Sequence, residues 1–321
     1  MHEPLTVEDL LQNKGRSLAL ELLTPAGAAL TGQIHETDLS SPGLALAGFT
    51  DRFPHGRMQV FGETEMTYLA SLDPESVQDR LDQLFRMEIP AVFVTKGQEV
   101  PEDFVDLASR HGVPVFRSYL GTRDFYRRIN PYLEMALAPT TTLHGSLADV
   151  YGVGLLFMGK SGIGKSECVL DLVERGHRVV ADDIIVTSRR GADLLIGRGH
   201  ELQRHHMEIR GIGIIDIPAL FGIRAIRQQK RIEVVVHLEE WSDESSYDRT
   251  GLARERTEIL GVHLPKVTIP LNPGKNITVI CEVVAMNHLL KYSGVDSAED
   301  FDHALKNALQ PVREYLEEDY E

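Results

Sequence analysis

Cysteine is nearly absent: the 321 residues hold two, Cys168 and Cys281. They share no metal-type spacing and cannot form the framework of a small secreted disulfide protein. They read as two reduced, largely buried thiols. Long hydrophobic runs are missing too, since none approaches the ~18 residues needed to span a bilayer. The opening Met1-His2-Glu3-Pro4 has no basic stretch leading into an apolar one, so no secretory leader is expected. Basic excess is also lacking. Lys and Arg number 33 against 48 Asp and Glu, a formal net charge of −15. Such a surface repels nucleic acid and anionic lipid, so neither is an expected partner. A protein partner reaching a local basic patch stays open. These absences together predict a cytoplasmic protein. There is no internal repeat and no low-complexity segment.

What is present is an ordinary globular composition, 42% apolar and 25% charged, at a length that suits two domains. Residues 1–130 read as an α/β unit. Apolar runs fall at Leu18–Leu23, Leu44–Gly48 and Met58–Phe61, with Gly and Pro between them. A helix is signalled after Leu72, with Asp73 as cap, Pro74 at its first position, and Val77, Leu81, Leu84 and Phe85 on one face. Ala91–Thr95 and Pro114–Phe116 read as strands around a helix over 101–111, which predicts parallel pairing. This part carries no catalytic constellation. A recognition, assembly or regulatory role and a purely supporting one are equally open.

Residues 123–140 read as the junction, with Asn130-Pro131 followed by a short helical stretch ending near Pro139. The second domain, 131–321, shows many strand-like runs: Val153–Met158, Arg178–Ala181, Asp193–Ile196, Gly213–Ile217, Ile232–Leu238, Val267–Pro270 and Ile277–Val284. The C-terminus reads as a helix with Phe301, Leu305, Ala308 and Leu309 in a stripe, interrupted at Pro311 and followed by an acidic, solvated end.

Gly159-Lys160-Ser161-Gly162-Ile163-Gly164-Lys165-Ser166 matches the full phosphate-loop pattern G-x-x-x-x-G-K-[ST]. An apolar strand precedes it. The helical pattern Cys168, Val169, Leu172, Val173 follows, with Gly176 placed to end the helix. Glycines let successive N–H groups point at one phosphate, and the helix N-terminus adds a field that favours anions. Lys165 can bridge the β- and γ-phosphates of ATP, and the Ser166 hydroxyl can ligate Mg²⁺. The motif in this context points to a phosphotransferase that uses ATP and Mg²⁺.

Two acidic pairs follow strands. Asp182-Asp183 ends the Arg178–Ala181 run, where ligands sit in open α/β sheets. One carboxylate there can help hold Mg²⁺ while the other accepts a hydroxyl proton; a plain polar turn is the bland alternative. Glu239-Glu240 ends the Ile232–Leu238 run. It suits a water-activating role in a motor ATPase, though no arginine-finger motif accompanies it. His200, His205 and His206 have no standard ligand spacing and read as a loop.

Several segments together resemble HPr kinase/phosphorylase, a bacterial enzyme family that phosphorylates a serine of the phosphocarrier HPr and removes that phosphate. They run from His144-Gly145 through the loop, Arg175-Gly176-His177-Arg178 and Ala181-Asp182-Asp183. They continue with Glu208-Ile209-Arg210-Gly211-Ile212-Gly213-Ile214-Ile215, Tyr247-Asp248-Arg249 and Pro273-Gly274-Lys275-Asn276. The loop is common to many families, whereas the 208–215 segment and the order of the pieces are specific. The resemblance implies an N-terminal α/β domain followed by a P-loop kinase domain with a mixed sheet and C-terminal helices. It implies that Lys165 and Ser166 bind phosphate and Mg²⁺, with Glu208 as a further Mg²⁺ ligand. Asp183 would be general base, and proton donor in reverse, with Asp182 beside it. His144 and Arg249 would contact the phosphate in transfer. The segment 207–216 would serve both reactions. The segment Pro270, Leu271, Asn272, Pro273, Gly274 and Lys275 would serve dephosphorylation, which consumes inorganic phosphate and releases pyrophosphate. The family pattern has Arg where this chain has Lys275; Lys keeps the charge without the planar fork. HPr or an HPr-like protein is the implied partner, and a homohexamer the implied assembly. Two other readings remain open from the loop alone: a small-molecule kinase and a non-enzymatic nucleotide sensor.

Overall fold

The computed structural model describes residues 4–25, 28–242 except 201–204, 255–272 and 274–318, with the backbone alone described at 28–29 and 310–318. The chain divides into two compact units, Met1–Ala138 and Pro139–Glu321. Among the described residues no helix is long and apolar enough to cross a membrane.

The first unit runs α1 (Val7–Lys14), β1 (Leu20–Leu22), α2 (Gly43–Leu46), β2 (Gln59–Phe61), α3 (Glu63–Ala70), α4 (Pro74–Phe85), β3 (Val92–Val94), α5 (Glu102–Arg110), β4 (Val115–Ser118) and α6 (Thr122–Ala136). Its sheet has the order β1-β4-β3-β2. The pairs β2–β3 and β3–β4 are parallel, and β1 is antiparallel to β4. Every residue of β2 and β3 is buried, as expected for strands covered on both faces. The Asp73 carboxylate accepts the Ser76 N–H at the start of α4, so the cap and Pro74 act as the sequence predicts.

Two readings of this unit are corrected. The Leu44–Gly48 run is a single helical turn, α2. Pro131 does not separate two segments but lies inside α6. The proline removes one intrahelical hydrogen bond, while Phe125, Ile129, Tyr132 and Leu133 form one buried face that carries the helix through it.

The second unit contains β5 (Thr140–His144), β6 (Ser146–Val150), β7 (Val153–Met158), α7 (Lys165–Glu174), β8 (Arg178–Ala181), β9 (Ile184–Arg190), β10 (Leu194–Gly199), β11 (His206–Ile209), β12 (Gly213–Asp216), α8 (Ile217–Phe221), β13 (Gln229–Arg231), β14 (Val234–Glu240), β15 (Arg256–Ile259), β16 (Val262–Leu271), α9 (Ile277–Tyr292) and α10 (Ser297–Glu318). A six-stranded mixed sheet has the order β15-β16-β14-β7-β6-β8, and a second, four-stranded sheet the order β13-β10-β9-β5. In the large sheet β16, β14 and β7 are parallel. β6 is antiparallel to both β7 and β8. The ends of β7, β8 and β14 therefore share one edge with the start of β6.

The Ile277–Val284 run is helical, not a strand. The Asn276 side chain accepts the Val279 N–H and starts α9, and Thr278, Cys281, Glu282 and Ala285 form its buried face. α10 likewise runs past position 311 instead of stopping there. The Cys168 and Cys281 sulfurs meet at 3.9 Å in the core between α7 and α9; both are free and buried.

One ion cluster, with Glu282 and His177 buried and Arg175 half-exposed, ties α9 to the end of α7. Arg175 donates twice to Glu282, at 2.9 and 2.7 Å, and the His177 ring lies 3.0 Å from the same carboxylate. The Arg175 bonds, ahead of the His177 contact, hold Glu282 down at about 2, against an ordinary value of 4.5. A depressed acid stabilises the fold above its unfolded value and loses that contribution as pH falls through its folded value. Glu282→Gln is expected to cost about 2 kcal/mol near neutrality. The gap to wild type should shrink as pH drops from about 5 to about 2. Urea denaturation across that range checks it, and a gap independent of pH would contradict it.

Candidate active site

The phosphate loop links β7 to α7, as the motif requires. Gly159 must be glycine because a Cβ there would lie 2.4 Å from the Leu238 carbonyl of the neighbouring β14, and its φ is +146°. The Lys165 side chain is almost fully buried and donates to the Gly159 and Lys160 carbonyls at 3.1 and 2.9 Å. Its ammonium is thus held at the mouth of the loop. α7 ends as predicted at Gly176, whose φ is +97°. The His177 N–H returns to the Leu172 carbonyl and the Gly176 N–H to that of Val173, a Schellman closure.

Asp182 and Asp183 leave the end of β8 toward this loop. Asp182 is buried, and its Oδ1 accepts the Ser166 hydroxyl at 3.0 Å and the Ser146 hydroxyl at 2.5 Å. Burial pushes this carboxyl above the ordinary aspartate range, opposed by the two serine hydroxyls. Asp183 is half-exposed, with its Oδ1 3.0 Å from His144 Nδ1. Its φ is +65°, and the Ile184 N–H reaches back to the Asp182 carbonyl at 2.8 Å. That is a γ-turn centred on a non-glycine residue, a conformation costing of order 1–3 kcal/mol that clusters at functional sites. The two carboxylates have different environments. Asp182 faces inward onto Ser166, while Asp183 faces out beside an imidazole, able to take a proton from an incoming hydroxyl.

Glu208 lies on β11, paired with Ile214 of β12. Along β11, Met207 and Ile209 are buried while His206 and Glu208 are exposed, so Glu208 sits on the outer face of the hairpin. The hairpin also supplies a contact that the sequence reading gave no individual role. A Cβ at Gly162 would come within 2.2 Å of an Arg210 nitrogen, so the Arg210 guanidinium lies directly against the phosphate loop. An arginine in a glycine-flanked turn gives no sequence signal of this on its own.

Gly162→Ala is expected to weaken nucleotide binding about tenfold, roughly 1.4 kcal/mol. Arg210→Ala in the same chain should recover the part owed to crowding but not the cost of φ +76°, about 1 kcal/mol. Calorimetric nucleotide titration reads both. Unchanged affinity in Gly162→Ala would mean that Arg210 does not crowd the loop.

Of the remaining candidates, Lys160, Ser161, Ile163 and Gly164 lie in the loop itself, with Gly164 capping α7 at φ +102°. Glu239 and Glu240 end β14 at the same edge, but it is Asp182 that receives the Ser166 hydroxyl. Pro270 and Leu271 end β16; Asn272 and Gly274 follow. The Lys275 ammonium lies 5.3 Å from the centre of the Trp241 ring, which brings this segment beside the end of β14. Pro273, Tyr247, Asp248 and Arg249 lie outside the described residues.

The HPr Serine kinase C-terminal domain matches residues 135–305, and the HPr Serine kinase N terminus matches residues 5–133. The chain belongs to the HPr serine kinase family. Its relatives include the HPr kinase/phosphorylase of Chloroherpeton thalassium, 47% identical over 90% of this chain and 88% of that protein. The HPr kinase/phosphorylase of Geobacillus kaustophilus is 46% identical over 91% of this chain and 93% of that protein. A solved HPr(Ser) kinase/phosphatase from Coxiella burnetii is 34% identical, covering 50% of this chain and 98% of that one, with a TM-score of 0.45. The mixed sheet, the phosphate loop and the acidic pair described above are thus the kinase domain of a family member.

Proposed function

We propose that this chain is a bifunctional HPr kinase/phosphorylase. It transfers the γ-phosphoryl group of ATP to a serine of HPr or an HPr-like protein. It removes that group again with inorganic phosphate, releasing pyrophosphate. The observation that carries the reading is the Asp182-Asp183 turn, with one carboxylate on Ser166 of the phosphate loop and the other beside His144.

The residues present fit ATP and Mg²⁺. The loop backbone at Gly159 and Gly162 leaves no room for side chains, Lys165 supplies a held cation, and the Ser166 hydroxyl is an oxygen ligand of the kind a hard cation takes, with Glu208 the further ligand that the resemblance implies. Bound Mg²⁺ would neutralise charge on the phosphate oxygens. The chain's own groups do the rest. Lys165 and the loop amides hold the phosphates, and Asp183 takes the proton of the substrate serine, oriented by His144. In the reverse direction Asp183 returns that proton to the serine oxygen as the phosphate nucleophile takes the phosphoryl group. By the resemblance alone, Arg249 would contact the phosphoryl group in transfer, and the segment 270–275 would serve dephosphorylation with Lys275 as the cation.

Assembly as a homohexamer follows the same reading. Val283, Leu290, Phe301 and Leu305 of α9 and α10 are exposed apolar side chains of the kind that such an assembly would cover. The purified chain, HPr, Mg²⁺ and γ-labelled ATP should place label on one HPr serine. ATP binding with no label on HPr would move the substrate to a metabolite. A conformational response without turnover would make the chain a nucleotide sensor.

A further inference from the structure

Three consecutive residues at the corner between β5 and β6 reach the acidic turn. His144 Nδ1 lies 3.0 Å from Asp183 Oδ1. The Gly145 N–H donates to the Asp183 carbonyl at 3.1 Å. The Ser146 hydroxyl donates to Asp182 Oδ1 at 2.5 Å. Register explains the convergence: His144 pairs with Ile184 and Leu147 with Ala181, so the corner passes directly opposite residues 182–183. Ser146 also pairs with Phe157, just before the loop begins.

Ser146 is 1% exposed and Asp182 6%, so neither group has water to replace a lost partner. A serine hydroxyl carries one proton and two lone pairs. Ser166 spends its proton on the same Asp182 oxygen that Ser146 holds. Its lone pairs therefore point away from the carboxylate. Without the Ser146 hydroxyl, Asp182 Oδ1 keeps the Ser166 hydroxyl but loses the donor that holds it from the other side, so the acceptor that Ser166 meets is less firmly placed.

We propose that Ser146 is a positioning residue for Mg²⁺. It holds Asp182 so that Asp182 takes the Ser166 proton and leaves the Ser166 oxygen free to face the cation. This rests on the reading of Ser166 as an Mg²⁺ ligand. It differs from a packing role, in which Ser146 would only fill space and satisfy a buried carboxylate.

The test is calorimetric binding of a non-hydrolysable ATP analogue to the full chain at stepped Mg²⁺ concentrations. Ser146→Ala should raise the Mg²⁺ needed for half-maximal tightening by about tenfold or more. Binding of the analogue without Mg²⁺ should stay as in wild type. Ser146→Thr, which keeps the hydroxyl, should recover most of the Mg²⁺ response. On an Asp182→Asn background Ser146→Ala should add nothing, since the residue acts through that carboxylate. Half-saturation unchanged in Ser146→Ala would overturn the proposal, as would the same shift on the Asp182→Asn background. An equal loss of Mg²⁺-free binding would mark Ser146 as a packing residue and overturn it too. A wild-type chain whose affinity ignores Mg²⁺ would overturn both this proposal and the reading of Ser166.

Discussion

Lys165→Ala is expected to lower phosphoryl transfer by on the order of 10³-fold or more in both directions. The ammonium is nearly buried and fixed by the Gly159 and Lys160 carbonyls, so it stands at the loop mouth before any phosphate arrives. A buried, pre-placed charge is where preorganised electrostatics have their largest effect. The loop's other lysine, Lys160, is exposed and meets Lys165 only through its backbone carbonyl. Labelled-ATP transfer to HPr and label release from phospho-HPr measure the two directions. Retained serine phosphorylation would place the site elsewhere in the chain.

Asp183→Asn should separate chemistry from binding. Turnover is expected to fall by roughly 10²–10⁴-fold, with ATP affinity nearly unchanged. The substitution suits the position because asparagine tolerates positive φ, so the turn at φ +65° survives. The amide still meets His144 but cannot take a proton from the substrate hydroxyl. If ATP affinity falls as far as turnover, Asp183 is a binding residue and another group removes the proton.

Legibility from sequence followed the strength of local signals. The β7–loop–α7 unit reads directly, because the motif, the buried strand before it and Gly176 after the helix agree. The Asp73–Pro74 start of α4 and the parallel β3–α5–β4 unit read for the same reason. The α9 segment misleads because Ile277, Thr278, Val279, Ile280, Val283 and Val284 are strand formers by composition. The helix is also apolar on its exposed side, at Val279, Val283 and Met286, so no polar face reveals its period. Only Asn276 as a cap signals it. Pro131 misleads in the opposite sense, since a strong buried face overrides one lost hydrogen bond.

Within the site, His144, Asp182, Asp183 and the loop are legible by motif and resemblance. Ser146 and Arg210 are not. A serine at a strand start has no pattern of its own, and its partner lies 36 positions away. Arg210 meets the loop because the β11–β12 hairpin folds Met207 and Ile209 into the same core that buries Val169 and Leu172 of α7.

In the proposed function a single phosphate-loop centre runs both reactions. The direct test incubates the chain with phospho-HPr, Mg²⁺ and labelled inorganic phosphate, and follows the label. Label is expected in pyrophosphate in step with the loss of phosphoserine, both abolished by Lys165→Ala. Phosphoserine lost as free phosphate with no labelled pyrophosphate, or removal that persists in Lys165→Ala, would contradict it.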